Sequence, residues 1–184
     1  MADIIGTDSL LSHPAATSHI QSRIRSEYFG YVRRLPSKVH CEILLQYFFV
    51  NANPLQSALD EIIFREQLER WWEVAYDTLL NQGPEKLPKD LQCFPALIFQ
   101  VLANTLQLLP VSYDSRLDEL KFGPLQTFAE LSREYTDCGV DLSKLLGGAK
   151  QTLVGVQQSY MRDYWLLNSG DLMQAWNHSG ETVK

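Results

Sequence analysis

Sixteen consecutive residues, Phe94 to Leu109, read FPALIFQVLANTLQLL and carry no charge. The only polar side chains in the run are Gln100, Asn104, Thr105 and Gln107. A membrane-crossing helix needs about 20 apolar residues, so this run is too short to span a bilayer. On a helix, Leu97, Val101, Leu102 and Leu108 share one face, while Ile98, Phe99, Leu106 and Leu109 make much of the remainder apolar. A helix that is apolar all round in a soluble chain is a buried one. Pro95 suits a first turn, where its missing N–H is no loss, and Pro110 stops the helix. The run predicts an all-α, multi-helix bundle built around one central helix at about 94–109.

The remaining totals fit that expectation. A chain of 184 residues is long enough for one domain with a real core, and its 45% hydrophobic and 21% charged fractions are those of an ordered globular protein. The net charge of −6 is uneven: residues 1–40 carry five basic and three acidic residues, and the rest carry 11 basic and 19 acidic. An acidic body argues against direct DNA binding, which needs a clustered positive face. Cys41, Cys93 and Cys138 are too few and too scattered for a disulfide framework or a paired metal site, and read as reduced structural thiols. Residues 1–14 lack the basic start and apolar run of a secretory signal.

Taken in order, residues 1–34 read as a mobile leader and linker, and 35–184 as a helical domain. Within the leader, residues 23–35 mix arginines with Tyr28, Phe29, Tyr31 and Val32, a linker that packs its aromatics on the domain rather than a nucleic-acid patch. Ser37 is a fitting N-cap for a helix over 38–50. Asn51-Ala52-Asn53-Pro54 breaks it, and another helix starts near Pro54 or Leu55. A long amphipathic helix over 63–81 carries Phe64, Leu68, Trp71, Trp72, Ala75 and Leu79, with Glu66 and Arg70 as an i, i+4 pair. Residues 110–123 read as a loop. A helix over 124–136 follows, closed by Cys138-Gly139. Another runs over 150–168, with Leu153, Val156, Tyr160, Tyr164 and Leu167 on one face and Asn168-Ser169-Gly170 as its cap. A last helix begins at Asp171 and carries Trp176, for which no C-terminal partner is evident.

The residues offer little catalytic chemistry. His40 and Cys41 are adjacent on a helix, about 100° apart, so they cannot pair with one another. Asp60-Glu61 lacks the second acidic cluster that magnesium-diphosphate chemistry requires, and reads as a solvated helix end. The four histidines show no zinc spacing, so no metal site is expected. Gly147-Gly148-Ala149-Lys150 lacks the phosphate-loop pattern and a preceding strand.

Several pieces are more specific in combination. Leu35-Pro36-Ser37 with His40 is followed by Leu44-Leu45-x-Tyr47-Phe48-Phe49, Asn51-x-Asn53-Pro54-Leu55 and Phe64. Leu91-Gln92 and Pro95 to Ala103 come next, then Thr152-Leu153-Val154-x-Val156-Gln157, Leu166-x-Asn168-Ser169-Gly170 and Ala175-Trp176-x-x-x-Gly180. Over about residues 35–181 the chain resembles the regulatory middle homology region of fungal zinc-cluster transcription factors. In that family an N-terminal six-cysteine cluster binds two zinc ions and reads DNA, and the helical middle region regulates activity. The three cysteines here cannot build that cluster. The family's basic His-Arg before Pro-Thr-Phe is replaced by Asp60-Glu61-Ile62-Ile63-Phe64, and the resemblance stops where the family continues through further helices.

Two readings follow. The resemblance implies a non-enzymatic, transcription-factor-like regulator of a fungal, secondary-metabolite gene set, placed in the nucleus or otherwise the cytoplasm. It would use no cofactor, would bind a protein partner or itself, and would respond to a small-molecule effector. An apolar pocket lined by Trp71, Trp72, Phe99, Tyr160, Tyr164 and Trp165 is its candidate ligand site. The alternative is a small helical enzyme or ligand-binding protein of secondary metabolism, with His40, Asp163 or Gln157 projecting into a closed cavity.

Overall fold

The computed structural model of the chain describes residues 14–123, 125–147 and 152–182. Eight α-helices are present among them: α1 (Pro14–Val32), α2 (Lys38–Tyr47), α3 (Asn53–Gln56), α4 (Glu61–Trp72), α5 (Lys89–Gln107), α6 (Phe128–Leu146), α7 (Leu153–Asn168) and α8 (Leu172–Thr182). No strand occurs among the described residues, and the class is all-α.

Helix α5 is the uncharged run, and it is enclosed: every residue from Cys93 to Leu106 is buried. Helices α6 and α7 form its largest contacts, joined by α2, α4 and a π-helical turn at Phe48–Ala52. The helix starts five residues before Phe94, so Pro95 lies inside it rather than in its first turn. The Leu91 carbonyl therefore has no Pro95 N–H to accept from. Leu108 closes the helix two residues before Pro110.

A run of aromatic contacts, the first two edge-on and the third tilted, carries α2 into the core. Phe48 meets Phe49 at 5.2 Å, Phe49 meets Phe64 at 5.6 Å, and Phe64 meets Phe94 at 5.2 Å between ring centres. Asn53 then holds the following loop, donating to the Leu59 carbonyl at 2.9 Å and accepting from the Leu59 N–H at 3.2 Å. Two caps stand where the sequence places them. Ser37 accepts from the His40 N–H ahead of α2, and Gly170, at φ +79°, follows α7.

Several boundaries differ from the sequence expectation. Within the expected leader and linker, residues 14–32 form α1, whose Tyr28 and Phe29 are buried in the common core, while residues 1–13 lie outside the described residues. The amphipathic helix expected over 63–81 ends at Trp72, and Leu79 reaches the core from a π-helical turn at Thr78–Gln82. There the Arg25 guanidinium donates to the Asn81 carbonyl at 2.6 Å, tying α1 down. The loop at 110–123 contains a 3-10 turn, Ser115–Leu120, capped by Asp114. Helix α6 starts at Phe128, after a capping box of Thr127 and Glu130, and runs seven residues beyond Gly139. Gly139 is no stop signal: a Cβ there would stand 2.7 Å from Gln100 Nε2 and 3.0 Å from the Ala96 carbonyl. The glycine is what lets α6 approach α5 so closely.

The expected pair of Glu66 with Arg70 is not the one formed. Arg70 reaches Asp90 at 3.2 Å, while Arg65 holds Glu61 at 2.8 Å and Glu42 at 3.0 Å. Arg70 takes a partner at the start of α5 in place of Glu66, while Arg65 keeps its i, i+4 partner Glu61 and adds Glu42 of α2.

Candidate functional site

The polar residues of α5 do structural work. Gln100 Nε2 donates to the Thr136 carbonyl at 2.9 Å, and the Thr136 hydroxyl donates back to Gln100 Oε1 at 2.7 Å. Arg162 of α7 donates to the same hydroxyl at 2.6 Å. One turn along, Ser132 donates to the Ala103 carbonyl at 2.7 Å and accepts from the Trp165 indole N–H at 2.8 Å. Asn104 donates to the Met161 carbonyl at 2.9 Å. These bonds pin α5, α6 and α7 together. A buried polar group left unpaired costs about 1–3 kcal/mol, so the network specifies one alignment of the three helices. Burial pushes the Arg162 guanidinium down, and Asp137, Asp163 and Asp171 oppose that shift.

The six expected pocket residues are spread over α4, α5 and α7. Trp71, Phe99 and Trp165 are buried, Trp72 and Tyr164 are half-buried, and Tyr160 is exposed. Phe99 stacks edge-on with Tyr135 at 5.7 Å, and Trp165 lies under the Arg162 guanidinium at 4.7 Å. Trp165 borders a cleft of about 270 Å³ with Arg133, Asp137 and Gln174. None of the other five lines that cleft or the larger one described below.

The chemical candidates resolve into local structural roles. Cys41 is buried, its thiol pushed up to about 12 chiefly by burial and secondarily by the Glu42 charge. His40 faces the other way, with Ser37 at 2.9 Å and Glu119 at 3.4 Å. Asp60 caps α4 by accepting from the Ile63 N–H at 3.0 Å. Asp163 holds His178 at 2.6 Å and Ser179 at 3.0 Å, clamping α8 onto α7. Of the glycine-rich motif, only Gly147 is described, at φ +56° after α6; the rest of the motif lies outside the described residues. Among the described residues no group of three His, Cys, Asp or Glu side chains is placed to hold a metal ion, and no helix is long and apolar enough to cross a membrane.

The basic segment is largely occupied. Arg23 pairs with Glu27, Arg25 with Asn81, Arg33 covers the Phe29 ring, and Arg34 reaches Cys138 at 3.4 Å. The mixed basic and aromatic composition of residues 23–35 is thus satisfied by packing within the chain.

Two surface features remain. The first is a half-open cleft of about 730 Å³ between residues 33–36, the segment 119–122 and α6. Leu35, Leu120 and Tyr135 supply apolar wall, while two arginines, Arg33 and Arg34, and four carboxylates, Glu119, Glu134, Asp137 and Asp141, supply charge. The volume falls in the usual range for ligand pockets, about 300–1,000 Å³.

The second is the outer face of α7 and α8. The stripe of Leu153, Val156, Tyr160 and Leu167, legible in sequence as the apolar face of its helix, is turned to solvent. Helix α7 buries its opposite side instead, with Val154, Gln158, Met161 and Trp165 inward. Sequence periodicity located the stripe but not its direction. The inward face is more polar, and only the hydrogen bonds to α5 and α6 reveal why it wins. Helix α8 continues the exposed surface with Leu172, Met173 (72% exposed) and Trp176 (79% exposed). Gln174 borders the cleft shared with α6, and Leu172 and Trp176 stand on the other flank of the helix, the side of the α7 stripe.

Compared with protein-family models, curated proteins and solved structures, the chain matches none.

Proposed function

We propose that this chain is a non-enzymatic helical interaction module of the regulatory type found in fungal zinc-cluster transcription factors. In this reading it acts in the nucleus on transcription of a secondary-metabolite gene set, through protein contacts rather than by touching DNA. The observation that carries the proposal is the uncharged apolar face of α7 and α8. Seven large apolar side chains are exposed on two paired helices, and contiguous exposed apolar surface of this kind marks interaction sites. The engaged arginines of residues 23–34 support the absence of DNA contact.

A small-molecule effector is the second element, and the 730 Å³ cleft beside α6 favours it. Its apolar wall and surplus of carboxylates suit an amphipathic cation. Such a ligand alters activity only by binding one packing state better than another.

The test tethers the chain to a heterologous DNA-binding domain upstream of a reporter in a fungal host. A several-fold change in transcription is expected, and no change at all would sink the proposal. A gel-shift with the purified chain on random duplex DNA across a salt series should show no retained complex. A sequence-selective shift would overturn the claim that the chain does not read DNA.

A further inference from the structure

We infer that the α7–α8 face is covered by a second copy of this chain, paired two-fold through antiparallel α7 helices. The inference rests on the reading of that face as the docking surface and names its occupant.

Three observations support self-pairing. The first is extent. The seven side chains are between 46% and 79% exposed and together leave on the order of several hundred Å² of apolar surface open. A stable, specific interface buries about 800 Å² per partner. The second is charge. The chain carries −6 overall, yet none of these seven residues is charged. Asp163 is engaged by His178 and Ser179, and Arg162 and Asp171 open onto the cleft with α6. Asp163, seven residues after Val156, is the charge nearest the seam, and its tie to His178 and Ser179 limits repulsion between two copies.

The third is symmetry. The stripe is spaced evenly about Tyr160, with Leu153 seven residues before it and Leu167 seven after. An isologous contact places residue i against j and j against i. Antiparallel pairing about Tyr160 therefore sets Leu153 against Leu167 of the second copy, Val156 against its Tyr164, and Tyr160 against its own counterpart. Spacings of seven residues return to nearly the same side of a helix, so the seam continues over about 21 Å. The Asp163 clamp presents α8 already fixed, so little ordering is left for association.

Sedimentation of the full chain over a concentration series gives the first measure, with a mass of twice 21.1 kDa expected. Leu153→Lys and Leu167→Glu alone should each give the single mass, because each places an unpaired charge in the seam. Both positions are exposed, so helical circular dichroism should be unchanged. Combining the two substitutions in one chain should restore the double mass, since each lysine then faces a glutamate of the other copy. Tyr160→Cys should cross-link on mild oxidation, because it meets itself across the axis. A wild-type chain of single mass at every concentration overturns the inference, as does a dimer indifferent to both single substitutions. If such a monomeric chain still changes reporter output when tethered, the functional proposal survives and only the occupant is wrong. A dimer with no reporter effect keeps the pairing and overturns the functional proposal instead.

Discussion

The side-chain amide of Gln100 and the backbone and hydroxyl of Thr136 exchange two hydrogen bonds, at 2.9 and 2.7 Å, in the fully buried seam between α5 and α6. The Arg162 guanidinium joins them from α7. Because the hydroxyl donates to Gln100, its lone pairs are free to accept from Arg162, and one proton arrangement satisfies all three groups. This is the join that holds the apolar helix in one register against its neighbours.

Thr136→Val removes the shared hydroxyl and leaves Gln100 Oε1 and an Arg162 N–H without it. The expected cost is about 1–3 kcal/mol in urea unfolding. Adding Gln100→Leu should cost less than the two single changes combined, with a coupling of about 0.5–3 kcal/mol. Strict additivity would mean the pair does not interact in solution.

Gly139→Ala tests the close approach of α5 and α6. The added methyl would stand 2.7 Å from Gln100 Nε2 and 3.0 Å from a backbone carbonyl, so a loss of about 1–3 kcal/mol is expected despite better helix propensity. Gly30, on the exposed side of α1, has nothing within 4 Å. Gly30→Ala should stabilise by about 0.5–1 kcal/mol. Opposite shifts of the unfolding midpoint are the expected result.

Burial holds the Cys41 thiol neutral and lifts it to about 12. Its folded value is raised, so the associated stability is intact below the unfolded value of about 9 and is lost as pH rises from there towards 12. Tyr28 and Tyr135 are also raised, by burial first, and their losses follow at higher pH. Unfolding midpoints should decline over that alkaline range. Alkylation at pH 8, followed by mass spectrometry, should label Cys41 only in denaturant; rapid labelling of the native chain would contradict the burial.

Asp60 is predicted to act as a cap and not as a metal ligand. Asp60→Ala should cost about 1 kcal/mol and Asp60→Asn almost nothing, since both Asp and Asn accept from the N-terminal amides. Thermal midpoints measured with and without millimolar magnesium should coincide. A magnesium-dependent rise that Asp60→Asn abolishes would reinstate the metal reading.

Much of the fold was legible because burial imposes periodicity. The uncharged run at 94–109, the Ser37 cap and the Gly170 stop are local signals, and the helices follow them. The limits of α4 and α6 were not legible. Trp72 ends one helix well short of the apolar pattern, and Gly139 prolongs another past an apparent terminator. In both places a contact from a distant segment decides: α1 against the turn at 78–82, and Gln100 against the missing Cβ of Gly139.

By itself the sequence determined an all-helical chain with one enclosed central helix, since only a helix wrapped by others can bury so many consecutive apolar residues. It also determined that the arginines of the first 34 residues lie among aromatics able to cover them. Tertiary structure alone decided which side of α7 faces inward. The stripe from Leu153 to Leu167 is the more apolar one, but the opposite side carries Trp165 and Arg162, which complete the hydrogen bonds of α5 and α6. Leaving buried polar groups unpaired costs more than leaving several apolar side chains in water, and the helix is turned accordingly.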